Sequence, residues 1–311
     1  MRVLIALGGN AMTGPDGSAT VEAQTAAVGL AMTRVAELVA RGVEVVLTHG
    51  NGPQVGNLLV KNELAAHVVP PVPLDWCDAQ TQGTIGLLIL NALERSLSDR
   101  GLHRRVAVLV SRTRVDEGDP AFADPTKPIG RFLPCDEAHA LMEHGQTWRD
   151  MGEKGWRRVV ASPEPLENLD APAARDLLAA GYIVVSSGGG GVPVVRNADG
   201  TLSGVEAVID KDLAAALLAR TLGVDVLVIA TDVEAAIRDY GTARAEPIGR
   251  VSAVDMRKLQ QADQFAVGSM GPKVEAAIRF AEAGGRHAVI TSLDHIAEAV
   301  SGRAGTIIYA D

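Results

Sequence analysis

Lysine is scarce in this chain: six of its 29 basic residues are Lys, at positions 61, 127, 154, 211, 258 and 273, and the rest are Arg. A chain that uses Arg by default and keeps Lys at a few positions invites a search for sites that need a compact point charge rather than a planar guanidinium. Three of the six qualify. Lys211 stands in Val208-Ile209-Asp210-Lys211-Asp212, at the start of an Ala/Leu-rich helical run and beside two carboxylates. Lys273 follows a glycine-containing turn in Gly268-Ser269-Met270-Gly271-Pro272-Lys273, with Pro272 as the first helical position. Lys127 lies in Pro125-Thr126-Lys127-Pro128-Ile129-Gly130, within an irregular stretch. Lys61, Lys154 and Lys258 sit in ordinary helix or turn contexts and read as solvated surface residues.

The chemistry such lysines suit is the handling of a phosphate, and the glycines agree. Three buried strands end in Leu7-Gly8-Gly9-Asn10, Thr48-His49-Gly50-Asn51-Gly52 and Ser186-Ser187-Gly188-Gly189-Gly190-Gly191. Glycine at a strand end lets backbone N–H groups approach an anion, and a following helix N-terminus adds the positive end of its dipole. The usual phosphate loop, GxxxxGK[ST], is absent, so the positive charge must arrive from distant positions. His49 reads as a structural histidine, since no second His or Cys lies at metal-ligand spacing. Asp75-Trp76-Cys77-Asp78 has no positioned partner and carries no catalytic weight, and Ser186-Ser187 lacks the GxSxG context of a nucleophile.

The elements that hold these loops follow from periodicity. Apolar runs over 2–7, 44–48, 105–111, 183–186, 224–230 and 287–291 predict strands buried on both faces. Helical spacing over 21–41, 52–66, 84–100, 171–180, 211–222 and 271–283 separates them, which predicts an α/β fold with a largely parallel sheet. Gly42, Gly101, Gly181, Gly223 and Gly284 each follow a helical run, as C-caps. From about 112 to 162 the alternation stops, Pro120, Pro125, Pro128 and Pro134 intervene, and a small protruding lid built of turns and short pieces is expected.

The formal charge of −9 argues against a nucleic-acid or anionic-membrane partner, because both need a basic face. The N-terminal apolar run is too short for a signal segment and no later run has the length of a membrane span, so a cytoplasmic location is expected. Cys77 and Cys135 form no metal or disulfide pattern and read as two reduced thiols.

The ordered set LGGNA, THGNGPQVG, PTKPIG, SGGGGVPVV, VIDKD, ATDV and GSMGPKVEAA resembles carbamate kinase, in the amino-acid kinase superfamily, over essentially the whole chain. The resemblance implies a three-layer αβα sandwich around a mainly parallel sheet of about eight strands, with a small lid, in a homodimer. It implies one domain over 1–311, divided into a carbamate and phosphoryl lobe over 1–217 that carries the lid and a nucleotide lobe over 218–311. The implied activity is reversible phosphoryl transfer between ATP and carbamate, giving ADP and carbamoyl phosphate, often run toward ATP in arginine fermentation. Lys127, Lys211 and Lys273 match the lysines that surround the moving phosphoryl group, with Asp212 orienting the last two. Gly8, Gly9, Asn10, Gly50, Asn51, Gly52, Gly189 and Gly190 match the phosphoryl and substrate loops. Thr231, Asp232, Val233, Met270 and Gly271, with Lys273, match the nucleotide side. Mg²⁺ would accompany the nucleotide, with no metal ligand from protein side chains.

Two alternatives stay open at this point. One is a related kinase of the superfamily acting on a carboxylate or a phosphonate; the other is a catalytically silent nucleotide-binding homologue, since fold does not set function. A dinucleotide-dependent oxidoreductase is disfavoured, because no GxGxxG follows the first strand.

Overall fold

A computed structural model describes residues 1–13, 20–143, 145–265 and 269–310, with the backbone alone for Asn10 and Ala11. Eight strands make the central sheet: β1 Arg2–Leu7, β2 Glu44–His49, β3 Val106–Val108, β4 Ile183–Val185, β5 Val226–Thr231, β6 Arg250–Ser252, β7 His287–Ser292 and β8 Thr306–Tyr309. Their order is β6-β8-β7-β5-β1-β2-β4-β3, and every pairing is parallel except β7 with β8.

The sheet is the middle of three layers, and the pleat of β1 shows how. Leu4 and Ala6 join the core that packs under helices α4 Ala171–Ala179, α5 Lys211–Thr221 and α6 Met270–Glu282. Val3, Ile5 and Leu7 face the opposite core, under α1 Val21–Ala40 and α3 Leu74–Ser98. Alternate side chains of one fully buried strand therefore feed two cores, which is why the strand is apolar throughout. The chain passes from β1 outward through β2 and then returns to the other flank of β1 as β5, so the carboxyl ends of β1 and β5 form the topological switch point. Gly8 and Thr231 stand there, joined by the Gly8 N–H donating to the Ala230 carbonyl at 2.9 Å.

The six predicted main strands are present, β3 shortened at both ends. Leu109 to Ser111 leave it toward a second sheet made of 202–204, 192–196, 112–114 and 167–168. All five glycines expected at helix ends have positive φ, between 62° and 90°. Four expectations change. Helix α3 begins at Leu74, not Thr84, because Asp78, Thr81 and Gln82 point inward and interrupt the apolar periodicity that would have revealed its first turns. Helix α6 begins at Met270, so Pro272 is its third residue, still among the N–H positions that lack a partner in the helix. The irregular insertion contains a three-stranded antiparallel sheet, 127–133, 156–160 and 148–150, capped by helix Cys135–Met142, whose Ala138 joins Leu133 and Trp148 in a small core. Arg112–Arg114, expected in the insertion, pairs with 192–194 outside it. Among the described residues no helix is long and apolar enough to cross a membrane.

Candidate active site

The lysines meet at the carboxyl edge of the sheet. Asp210 caps α5, its Oδ1 accepting from the N–H groups of Asp212 at 2.9 Å and Leu213 at 3.3 Å. That cap places Lys211 and Asp212 in the first turn, where the helix dipole favours an anion nearby. Asp212, 3% exposed, accepts from Lys211 Nζ on Oδ1 and from Lys273 Nζ at 3.1 Å on Oδ2. One carboxylate thus fixes two ammonium groups from two helices. Burial alone would push the Asp212 carboxyl up, but the Lys211 and Lys273 charges outweigh it and hold it below the usual carboxylate range.

Lys127 comes from the lid, at the end of the strand Lys127–Leu133, and its Nζ donates to Asp210 Oδ2 at 2.9 Å. Asp210 therefore serves two elements at once, the helix cap and the lid lysine. Three ammonium groups face two carboxylates here, which leaves this cluster one positive charge in excess.

Two cavities share this cluster. The larger, about 860 Å³, is lined by Gly9, Gly50, Asn51, Gly52, Gly189, Lys127, Lys211, Asp212 and Lys273, with Arg131 and Arg157 from the lid side. The smaller, about 430 Å³, is lined by Gly8, Gly9, Thr231, Asp232, Val233, Met270, Lys211 and Lys273, with Tyr240, Gln264 and Phe265. Gly9, Lys211, Ser269 and Lys273 line both, so the two spaces touch at the lysine pair. Gly190 and Gly271 line neither, and the Asn10 side chain lies outside the described residues.

The glycine loops are close-packed. A Cβ on Gly50 would stand 3.0 Å from the Gly9 backbone nitrogen, so the first two loops touch directly. His49 lies beneath them, fully buried, its Nδ1 2.9 Å from the Gly50 carbonyl. Burial pushes its ring down to about 4 despite that bond, with Lys211 acting in the same direction as burial, and a neutral structural histidine results. Sequence reasoning missed Asp210 as the partner of Lys127, 83 residues away, although the acid was visible beside Lys211. It also gave no weight to Asp78, which Asn51 reaches across 27 residues. Among the described residues no group of three or more His, Cys, Asp or Glu could hold a metal ion.

Glycine loops at a switch point, with two lysines set on one carboxylate, are the marks of a phosphate-handling enzyme, and the chain belongs to the amino acid kinase family, whose model matches residues 1–292. It is 44% identical to the carbamate kinase of Pyrococcus furiosus over 98% of both chains. It is 42% identical to the carbamate kinase-like protein YqeA of Escherichia coli, over 99% of this chain and 98% of that one. The solved carbamate kinase of Giardia lamblia bound to AMP-PNP superposes with a TM-score of 0.94 at 40% identity, covering 100% of this chain and 98% of that one. Within the family its place is among the carbamate kinases.

Proposed function

We propose that the protein transfers a phosphoryl group reversibly between ATP and carbamate, with carbamoyl phosphate as the phosphorylated product. The observation that carries this reading is the meeting of two cavities at Lys211 and Lys273, one lined by glycine loops and the lid lysine, the other by the end of β5 and the start of α6. Nucleotide in the smaller space and carbamate in the larger would aim their reacting oxygens at one point. A loose phosphoryl-transfer transition state asks for in-line placement and for cancellation of charge on the equatorial oxygens, with little covalent help.

Lys211 and Lys273 would meet that charge from two helices, while Asp212 keeps both ammonium groups in place and apart. The N–H groups of Gly9 and Gly52, which are not spent on the Ala230 and Leu7 carbonyls as those of Gly8 and Gly50 are, would add donors that need no reorganisation. Lys127 would leave Asp210 for the phosphoryl oxygens, or bridge both, as the lid settles. A general base is not required, because the carbamate oxygen attacks as an anion. Mg²⁺ enters on this reading with the nucleotide, shielding its phosphate charge, with no ligand from protein side chains.

The lobe division of 1–217 and 218–311 belongs to the same reading, with α5 spanning the boundary. A homodimer is supported by apolar side chains left exposed on the α2 helix, Gly52–Ala65, just after it and on α3, namely Leu64, Val68, Trp76 and Leu87. A cytoplasmic site of action is supported by the free thiols of Cys77 and Cys135. The direction toward ATP, as in arginine breakdown, completes the reading. The test is ATP formation by purified protein given Mg²⁺, ADP and carbamoyl phosphate: sustained turnover is expected, and turnover of acyl phosphates other than carbamoyl phosphate alone would overturn the substrate assignment.

A further inference from the structure

We propose that Asp78 and Thr81 are positioning residues that lock the Asn51 carboxamide with its oxygen as the group offered to substrate, so that the site selects an acyl phosphate carrying an N–H over an isostere that has none. The inference rests on the phosphoryl-transfer reading above.

Asn51 stands at the N-cap of α2, where an Asn side chain ordinarily accepts from the helix N–H groups and contributes about 1 kcal/mol, yet it makes no such bond. Its side chain is diverted elsewhere. Nδ2 donates to Asp78 Oδ1 at 3.0 Å and to Thr81 Oγ1 at 3.0 Å. Thr81 decides which way round the amide sits. Its hydroxyl hydrogen is spent on the Asp78 carbonyl at 2.7 Å, so toward Asn51 its oxygen can only accept. Both N–H bonds of the carboxamide are thereby used, and the polar side-chain atom Asn51 has left for the larger cavity it lines is the carbonyl oxygen.

The third glycine loop is shaped to admit this arrangement. Gly189 has φ +68°, and a Cβ there would stand 2.2 Å from Asn51 Nδ2, so nothing larger fits against the amide. Burial pushes the Asp78 carboxyl up to about 8, so behind Asn51 stands an uncharged acid rather than an anion facing the substrate. A fixed neutral acceptor suits an N–H donor. A carbamoyl group presents two such hydrogens, whereas an acetyl group of nearly the same shape presents a methyl and would leave the Asn51 oxygen unpaired. A site built to hydrogen-bond one group rejects the analogue that lacks it more strongly than a merely apolar pocket does.

The test compares carbamoyl phosphate and acetyl phosphate as phosphoryl donors to ADP, as a ratio of kcat/KM values, in the wild type, Asp78→Ala, Thr81→Val, their double variant and Asp78→Asn. The double variant frees the amide to rotate, and its ratio should fall about tenfold through a higher KM for carbamoyl phosphate, with the KM for ADP unchanged. Asp78→Asn keeps an oxygen toward Asn51 and should hold the wild-type ratio. An unmoved ratio in the double variant, with both donors slowed alike, would overturn the proposal and leave these residues a structural role only. Should the double variant fail to fold, the near-isosteric Thr81→Val decides alone: a fall of a few-fold supports the proposal and an unchanged ratio overturns it. A wild type that makes no ATP from either donor overturns the reaction and this inference together, whereas an active wild type with unmoved variants overturns the inference alone.

Discussion

Asp212 lines the cleft and Asp78 lies behind it, each only 3% exposed, yet the two carboxyls are held in opposite states. Asp212 has an ammonium group on each oxygen and stays charged despite its burial. Asp78 has an amide donor and, among the described residues, no cation; burial dominates, Asp75 adds repulsion, and the group keeps its proton to about pH 8. The same residue type therefore builds two kinds of site. Around Asp212 the charge is arranged for a moving phosphoryl group, and around Asp78 a neutral network fixes the direction of one hydrogen bond.

The contrast can be broken most severely at the charged end. Lys211→Ala or Lys273→Ala removes a preorganised cation from the point where the cavities meet, and steady-state ATP formation should fall about 10²- to 10³-fold, corresponding to roughly 2–4 kcal/mol of barrier. Asp212→Asn leaves both lysines present but without the charge that sets them, and a loss of roughly ten- to hundredfold in kcat is expected with a smaller change in nucleotide KM.

The neutral end is sharpened by pH. An Asp whose pKa is raised on folding binds a proton in the native state that the unfolded chain releases, so it lowers stability as pH rises between roughly 4 and 8, by about 1.4 kcal/mol per unit. His49, lowered to about 4, acts in the opposite sense: the unfolded chain gains a proton below about 6.5, so its contribution is lost as pH falls through that window. The two effects oppose each other below pH 6.5 and leave Asp78 alone above it. Urea unfolding should therefore find Asp78→Asn gaining about 2 kcal/mol on the wild type between pH 6.5 and 8, and a constant difference across that range would refute the buried neutral acid. The smallest effect is expected from the lid. Lys127→Ala should raise the KM for carbamoyl phosphate about tenfold, and an unchanged value would remove Lys127 from the site.

Much of this was legible in local sequence. The main strands and the glycine-capped helices follow from periodicity and from residues adjacent in the chain, and the scarce lysines beside glycine loops marked the cleft. What was not legible is what depends on distance. β6 and β8 have three and four residues, too few to show a pattern. The lid sheet forms by pairing 127–133 with 156–160 across polar, proline-rich text. The first turns of α3 were hidden because their buried face is polar, and those same polar residues, Asp78 and Thr81, are the ones that hold Asn51. A polar residue turned inward looks like a loop to a reader of apolar spacing, and only the fold reveals its partner.

The central claim is that the phosphoryl group passes where the two cavities meet, at the lysine pair on Asp212. A single-turnover measurement of ATP formation from ADP and carbamoyl phosphate with Mg²⁺, at saturating concentrations, tests it in the wild type and Lys211→Ala side by side. Rapid ATP formation by the wild type and a rate at least about a hundredfold lower in the variant is the expected result. Equal rates in the two proteins would contradict it.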